Sequence, residues 1–123
     1  MPKRQEEDHH TSMIDFASTA ISVVEGAGTV YADTDRGHTP PEVNGRVPDL
    51  LYRNGDDVRV YEVETCDSID HEHTEGQWTD FSEYAEDRGA NFTVIVPTDC
   101  EEQAERRIDE LGLPNADVWA VSP

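Results

Sequence analysis

The sequence predicts an α/β protein with a mixed central sheet and helices on its faces. Three patterns lead to this prediction: an amphipathic helical pattern near the N-terminus, a β-hairpin pattern over residues 48–64, and apolar strands alternating with helical patterns after it. The predicted element order is α-β-β-β-α-β-α-β. In this order the strand–helix–strand units at the C-terminal end form parallel pairs with right-handed crossovers.

The length of 123 residues suits one domain with its own hydrophobic core. We assign the domain to residues 11–123 and expect residues 1–10 to form a flexible, solvated arm. No apolar run approaches membrane-spanning length, and the N-terminus lacks the apolar segment of a signal peptide. We therefore expect a soluble, cytoplasmic protein without a membrane partner. Cys66 and Cys100 form no CxxC motif, and we expect free thiols.

Charge is the most unusual feature of the composition. The chain has 28 acidic and nine basic residues, a formal net charge of −19, and Lys3 is its only lysine. The acids are spread along the chain, which resembles the composition of extreme halophiles. Such charge normally argues against nucleic acid as a partner, because binding relies on neutralising phosphates. At molar salt the Debye length is about 3 Å, so distant like charges scarcely repel, and local arginines and metal ions determine whether a nucleic acid binds. The composition therefore neither supports nor excludes DNA as a partner.

The first elements are predicted from caps and spacing. Thr11 or Ser12 caps a helix that runs to about Glu25. Its apolar side chains at helical spacing are Ile14, Ala17, Ile21 and Val24. The glycine pair at positions 26 and 28 ends the helix. A short strand over residues 29–32 leads into a loop over residues 33–47, and a loop of this length is often functional.

The central hairpin is predicted from Asn54-Gly55 and the two aspartates after it, which accept the positive φ angles of tight turns. Two registers fit this turn. A four-residue loop over residues 54–57 places Asp49 opposite Glu62. A loop of Asn54-Gly55 alone places Asp49 opposite Val60 and makes Glu62 its diagonal neighbour.

Both registers place Asp49, Glu62 and Glu64 on one face of the hairpin. The same face carries the apolar side chains of Leu51, Val58 and Val60. Directly opposed Cβ atoms are roughly 4.5–5.5 Å apart, so two carboxylates there can share a divalent cation. The alternative is that the acids decorate an exposed face. Because carboxylates in a core-facing row are costly unless paired with cations, the pattern favours a metal site.

The C-terminal half is predicted to complete the sheet. A polar segment leads into a helix over about residues 75–88, whose aromatic side chains we expect in the core: Trp78, Phe81 and Tyr84. A buried strand follows over residues 92–96. A further helix over residues 101–111 and a strand over residues 117–121 complete the chain.

With these elements in place, the chain resembles the PD-(D/E)XK nuclease superfamily, which has the restriction-endonuclease-like fold. The resemblance rests on Pro48-Asp49 and, thirteen residues after Asp49, on Glu62-Val63-Glu64. It covers residues 12–97 as an αβββαβ core, and the last helix and strand form a C-terminal extension. The layout is similar to archaeal Holliday-junction resolvases. Such proteins are often dimers, so the resemblance is compatible with a homodimer but does not determine the oligomeric state.

The resemblance implies that Asp49 and Glu62 bind Mg²⁺, with Mn²⁺ as an alternative, to polarise a scissile phosphate and activate water. The carbonyl oxygen of Val63 would be a further ligand. Glu64 departs from the family pattern, in which lysine usually stands at this position. Glu64 would then be a general base or an extra ligand, or the site would be inactive.

Further site residues are implied by their positions. Gln77 lies in the helix after the hairpin, where several branches of the family have a glutamine that can orient a site group. The alternative is that Gln77 merely caps the helix face and has no role in the site. Relatives often contribute an acid from the first helix, for which Glu25 is the first candidate and Asp15 the second. Arg46 and Arg36 are candidates for contacts with substrate phosphate.

The histidines do not form a metal site by their spacing. His9-His10 lies in the predicted arm, and we expect it to be inert. His71 and His73 flank Glu72, but two histidines are too few for a tetrahedral zinc site, so we expect a solvated loop. His73 or His38 can still contact a substrate phosphate.

Two functions follow from the sequence. The first is a metal-dependent nuclease that hydrolyses DNA phosphodiesters, with RNA as the less favoured substrate. The second is a catalytically inactive member of the fold that acts as an acidic protein-binding or assembly module. The missing motif lysine favours the second function, whereas the three converging acids favour the first.

Overall fold

The computed structural model describes the backbone of residues 2–25, 28–34 and 38–122, and the side chains of residues 10–23, 28–34 and 38–122. The helices are α1 (Pro2–Glu25), α2 (Glu72–Arg88) and α3 (Glu101–Leu111). The strands are β1 (Thr29–Ala32), β2 (Leu50–Asn54), β3 (Asp57–Val63), β4 (Asn91–Pro97) and β5 (Ala116–Val121), and a short 3₁₀ helix spans Thr98–Cys100. The predicted α/β class and element order are confirmed. None of the helices in this described part combines the length and apolarity needed to cross a bilayer.

The five strands form one mixed sheet in the order β1-β2-β3-β4-β5. Strands β1 and β2, and strands β2 and β3, are antiparallel, whereas β3 with β4 and β4 with β5 are parallel. The parallel pairing predicted for the C-terminal strand–helix–strand units is therefore confirmed. Both crossover helices contribute side chains to the same core layer, so α2 and α3 cover one face of the sheet.

Two hydrophobic layers cover the two faces of the sheet. The layer under α2 and α3 contains Trp78, Phe81 and Tyr84, which confirms their predicted place in the core. The ring centroids of Phe81 and Phe92 lie 5.7 Å apart in this layer. The second layer lies under α1 and joins its buried side chains to those of the sheet: Met13, Ile14, Ala17 and Ile21 against Leu50, Tyr52, Tyr61, Val63 and Ile95.

Helix α1 begins at Pro2, well before the predicted cap at Thr11 or Ser12. The predicted start of the helix was wrong for a local reason. Residues 3–10 contain no glycine or proline and are rich in lysine, arginine, glutamine and glutamate, which favour helix. A proline also suits the first turn of a helix, where its missing N–H group is not needed. The backbone of residues 2–10, expected to be a solvated arm, is therefore helical.

The hairpin adopts the register predicted for the four-residue loop, but the loop itself was predicted wrongly: Asn54 pairs with Asp57, so the turn consists only of Gly55 and Asp56. Arg53 pairs with Val58, and the pairing extends to Leu50 opposite Tyr61. Gly55 has a φ of 61°, a left-handed conformation that glycine adopts without a Cβ clash. Continuing this register by one residue places Asp49 directly opposite Glu62.

Cys66 and Cys100 form a disulfide, so the expectation of free thiols was wrong. Their Cα atoms are 5.4 Å apart, within the range that a disulfide requires. The two cysteines are separated by 34 positions, but each follows closely after one of the parallel neighbours β3 and β4. Because parallel strands end at the same edge of a sheet, the segments after them meet there.

The loop before β2 packs on α2. The side-chain amide of Asn44 donates to the backbone carbonyl of Asp80 (3.0 Å), and Arg46 Nε donates to the Asp80 carboxylate (2.6 Å). Helix α2 begins at Glu72, earlier than predicted, so His71 is its N-cap residue and His73 lies in the helix. The solvated loop expected for this histidine segment is thus partly helical, although His71 and His73 are both exposed.

Candidate functional site

Asp49 and Glu62 lie side by side where the hairpin ends. Asp49 precedes the first residue of β2, and Glu62 precedes the last residue of β3. The Asp49 N–H donates to Glu62 Oε2 (2.9 Å), and the Val63 N–H donates to Asp49 Oδ2 (2.9 Å). These reciprocal bonds close the open end of the hairpin and hold the two carboxyl groups next to each other.

Glu62 is buried, with 2% of its surface exposed. It continues the row of core-facing side chains that includes Val60, because side chains alternate along a strand. Burial is the largest influence and raises the pKa of Glu62 well above its ordinary value. The charge of Asp49, the hydrogen bond between the two carboxyl groups and the charge of Glu64 add to this rise, and the bond from the Asp49 N–H opposes it.

The pKa of Asp49 shifts in the opposite direction from that of Glu62. Burial acts to raise the pKa of Asp49, but hydrogen bonds from His10 and Glu62, the charge of His10 and the Val63 N–H together lower it below its ordinary value. The pKa values of the two neighbouring carboxyl groups therefore move apart: Glu62 binds a proton more readily than an exposed glutamate, and Asp49 binds one less readily than an exposed aspartate.

Glu64 lies just beyond β3 and is held by α2 and by the segment that leads to it. Trp78 Nε1 donates to Glu64 Oε2 (3.1 Å), and Ser68 Oγ donates to Glu64 Oε1 (2.7 Å). Burial raises the pKa of Glu64, although the bonds from Ser68 and Trp78 partly oppose this rise. Both carboxylate oxygens are thus oriented by donors of the protein.

His10 also belongs to the site. Its Nε2 atom lies 3.2 Å from Asp49 Oδ2 and 3.0 Å from the carbonyl oxygen of Val63. A carbonyl oxygen can only accept a hydrogen bond, so Nε2 carries a hydrogen. The hydrogen bond to Asp49 is the largest influence and raises the pKa of His10, against the opposing effect of burial. The acids around His10 therefore favour its protonated form.

The expectation of a solvated arm was wrong for His10, whose side chain contacts Asp49 and Val63. The error came from the predicted helix boundary, because a residue in a solvated arm has no defined neighbours. The helical spacing itself contained the signal: His10 precedes Ile14 by four residues and Ala17 by seven, which places it on the buried stripe of α1. Extending the helical pattern backwards from Ile14 would have found it.

The other predicted site residues are placed differently or lie outside the description. Arg46 is paired with Asp80 on α2. Gln77 is half-buried on α2, next to Trp78. Asp15 is half-buried on α1, five residues after His10 and so about 140° around the helix from it. Arg36 and the side chain of Glu25 lie outside the described residues.

The donor atoms at the hairpin end suit a hard cation. Asp49 and Glu62 offer carboxylate oxygens, and the Val63 carbonyl faces the same place through its contact with His10. Magnesium in proteins is typically bound through one or two carboxylates and keeps several waters, so this small set of oxygens fits its chemistry. Among the side chains that the structure describes, those of residues 10–23, 28–34 and 38–122, no group of three or more histidine, cysteine, aspartate or glutamate residues is arranged to hold a metal ion.

No model of a known protein family matches the chain, and a search of curated proteins finds no significant match.

Proposed function

We propose that this protein hydrolyses phosphodiester bonds of nucleic acid, with DNA as the substrate, in a reaction that requires a divalent cation. The observation that carries the proposal is the placement of two carboxyl groups side by side at the end of the hairpin, with Glu62 buried and Asp49 partly buried. Two carboxyl groups at such a place are costly, and a divalent cation between them would neutralise their charge. A purely structural role would be filled at lower cost by apolar side chains, which occupy the rest of the row.

The proposed fold is the restriction-endonuclease-like αβββαβ core, from α1 to β4, with α3 and β5 as its C-terminal extension. The mixed sheet, the antiparallel hairpin that leads into a parallel strand, and the helices on both faces support this assignment. In this fold Asp49 and the Glu62-Val63-Glu64 segment take the positions of the family motif. The archaeal, halophilic character of the protein is part of the same proposal and rests on its composition.

Each residue of the site has a proposed role. Asp49, Glu62 and the Val63 carbonyl would hold Mg²⁺ or Mn²⁺, which when bound polarises the phosphate and acidifies water. Glu64 takes the proton of the attacking water. Its raised pKa makes it a stronger base than an exposed glutamate, and Trp78 and Ser68 fix its orientation.

Contacts with the substrate are proposed for the arginines. Arg46 is one third exposed, and its Nε is bound to Asp80, so its terminal N–H groups are the ones that would meet a phosphate. Arg36, Gln77 and Glu25 stay proposals that rest on the resemblance alone. Cytoplasmic location and a homodimer are proposals of the same kind.

The proposal is tested by cleavage of DNA in molar salt with Mg²⁺. Asp49→Asn and Glu62→Gln, which preserve shape, should each lower the rate by about a hundredfold or more. Asp56→Asn is the matched control, because Asp56 is an exposed acid in the turn at the other end of the hairpin. Chelation of Mg²⁺ should stop cleavage by the wild type. Full activity of both site variants would refute the assignment.

A second function is favoured by a specific observation. Both oxygens of Glu64 and one oxygen of Asp49 already accept hydrogen bonds from protein donors. A site closed in this way suits a catalytically inactive module that uses its acidic surface to bind a basic protein. Calorimetric titration with Mg²⁺ and Mn²⁺ separates the two functions, because the module predicts no heat of binding and no cleavage, together with a stable fold.

A further inference from the structure

The position of His10 bears on how a cation would enter the site. His10 Nε2 lies between Asp49 Oδ2 and the Val63 carbonyl oxygen, at 3.2 and 3.0 Å. These are two of the oxygens that the proposed function assigns to the cation. The histidine nitrogen therefore lies against two of the three groups proposed as ligands, Asp49 and the Val63 carbonyl.

A cation and this N–H group exclude each other. Mg²⁺ binds oxygen at about 2.0–2.1 Å, closer than the imidazole nitrogen now approaches. A nitrogen that carries a hydrogen has no lone pair to offer, so His10 in this state cannot be a ligand. Its hydrogen would instead point at the incoming ion or at the ligands of that ion.

The surroundings of His10 permit the side chain to leave without moving the helix. Ile14 and Ala17, one and two turns further along α1, are buried and anchor the helix backbone on the sheet. The His10 side chain itself is 37% exposed, so it has a direct path to solvent. Rotation of this side chain towards solvent would open the two oxygens.

We propose that His10 is a displaceable hydrogen-bond donor that occupies two of the proposed ligand oxygens while no cation is bound, and so lowers the affinity of the site for divalent cations. This inference rests on the proposed function and adds to it the regulation of cation binding at the same site. When the cation binds, the His10 side chain rotates out, and Asp49 exchanges the imidazole N–H for the ion.

The test is calorimetric titration with Mn²⁺ at one fixed pH, on the full chain, for the wild type, His10→Ala and Ser12→Ala. Alanine maintains the helix and leaves the position open, so His10→Ala should bind Mn²⁺ about tenfold more tightly than the wild type. Ser12 is exposed on the same helix, and its replacement is the matched control that should change nothing. In the wild type, the NMR signals of the His10 ring should shift when Mg²⁺ is added.

Each outcome of the titration either supports or overturns the inference about His10. Binding by His10→Ala where the wild type shows none supports the inference even more strongly than a tenfold gain. Weaker binding by His10→Ala would make His10 a ligand, and equal binding would leave it without influence. Both results overturn the inference but leave the nuclease proposal intact. If neither protein binds Mn²⁺, both proposals fail. Should His10→Ala not fold, His10→Asn repeats the comparison.

Discussion

Glu62 holds a proton under conditions in which an exposed glutamate has lost it, and this governs the electrostatics of the site. The proton lets Asp49 stay ionised beside it, where His10 and the Val63 N–H stabilise the charge. The folded chain therefore binds a proton at Glu62 more strongly than the unfolded chain does. Because of this difference, the free energy of unfolding decreases as the pH rises through the pKa of Glu62 in the folded chain.

Glu62→Gln should weaken the pH dependence of stability in the absence of metal. Because the pKa of Glu62 is raised on folding, its contribution is fully present below its ordinary value of 4.5 and is lost as the pH rises through the folded value. Glu64 acts in the same direction, so part of the slope should remain. Denaturant unfolding with a chelator, from about pH 5 to about pH 6.5, should show a smaller decline for Glu62→Gln than for the wild type.

The control for this measurement is Glu83→Gln on α2, which changes an exposed glutamate and should keep the wild-type slope. The window stops at about pH 6.5 because the pKa of His10 is raised from that ordinary value, and its own stabilising contribution is lost as the pH rises further. Equal slopes for Glu62→Gln and the wild type would contradict the raised pKa of Glu62.

The acids of the site could be predicted from the sequence, whereas their partners could not. Asp49, Glu62 and Glu64 are brought together by strand alternation and by one tight turn, and both are local properties. Helical spacing places His10 on the buried stripe of α1, but the contacts of His10 and Trp78 with these acids join side chains of two helices to the hairpin. Such contacts depend on how a helix docks on the sheet, which spacing alone does not specify.

Among the secondary-structure elements, too, those with a local sequence signal were predicted and features without one were missed. The hairpin, β4 and α3 follow from a turn motif, an apolar run and an amphipathic pattern, and the structure has each of them at or near the predicted bounds. The start of α1 was missed because Thr11 and Ser12 look like a cap, yet the residues before them favour helix as well. The disulfide was missed because Cys66 and Cys100 meet only after β3 and β4 have paired.

The disulfide should contribute substantially to the stability of these elements. It closes a loop across 34 positions, for which the chain-entropy relation gives about 3 to 4 kcal/mol. We expect the double variant Cys66→Ser with Cys100→Ser to lose roughly this amount in denaturant unfolding. Reduced wild-type protein is the matched control and should unfold at about the same denaturant concentration as the double variant. No difference between oxidised and reduced wild type would contradict the prediction.

For the molecule as a whole, the excess of carboxylates makes charge repulsion an unfavourable contribution to folding. The net charge of −19 leaves few cations to share among the acids. Arg107 illustrates this, because a single guanidinium lies within 4 Å of three carboxylates, those of Asp70, Glu75 and Glu110. Local pairing of this kind cannot offset the charge of the entire surface, so the remainder must be screened by dissolved ions.

The stability of the folded chain should therefore increase with salt. The Debye length falls from about 10 Å at 0.1 M to about 3 Å at 1 M, so most of the electrostatic gain should appear below about 1 M. Thermal unfolding in a KCl series checks this, and the midpoint should rise steeply at first and then more slowly. A sucrose series is the control, because sucrose favours compact states without screening charge. A midpoint that stays constant in KCl would show that carboxylate repulsion does not limit the stability of this protein, and the halophilic proposal would lose its physical basis.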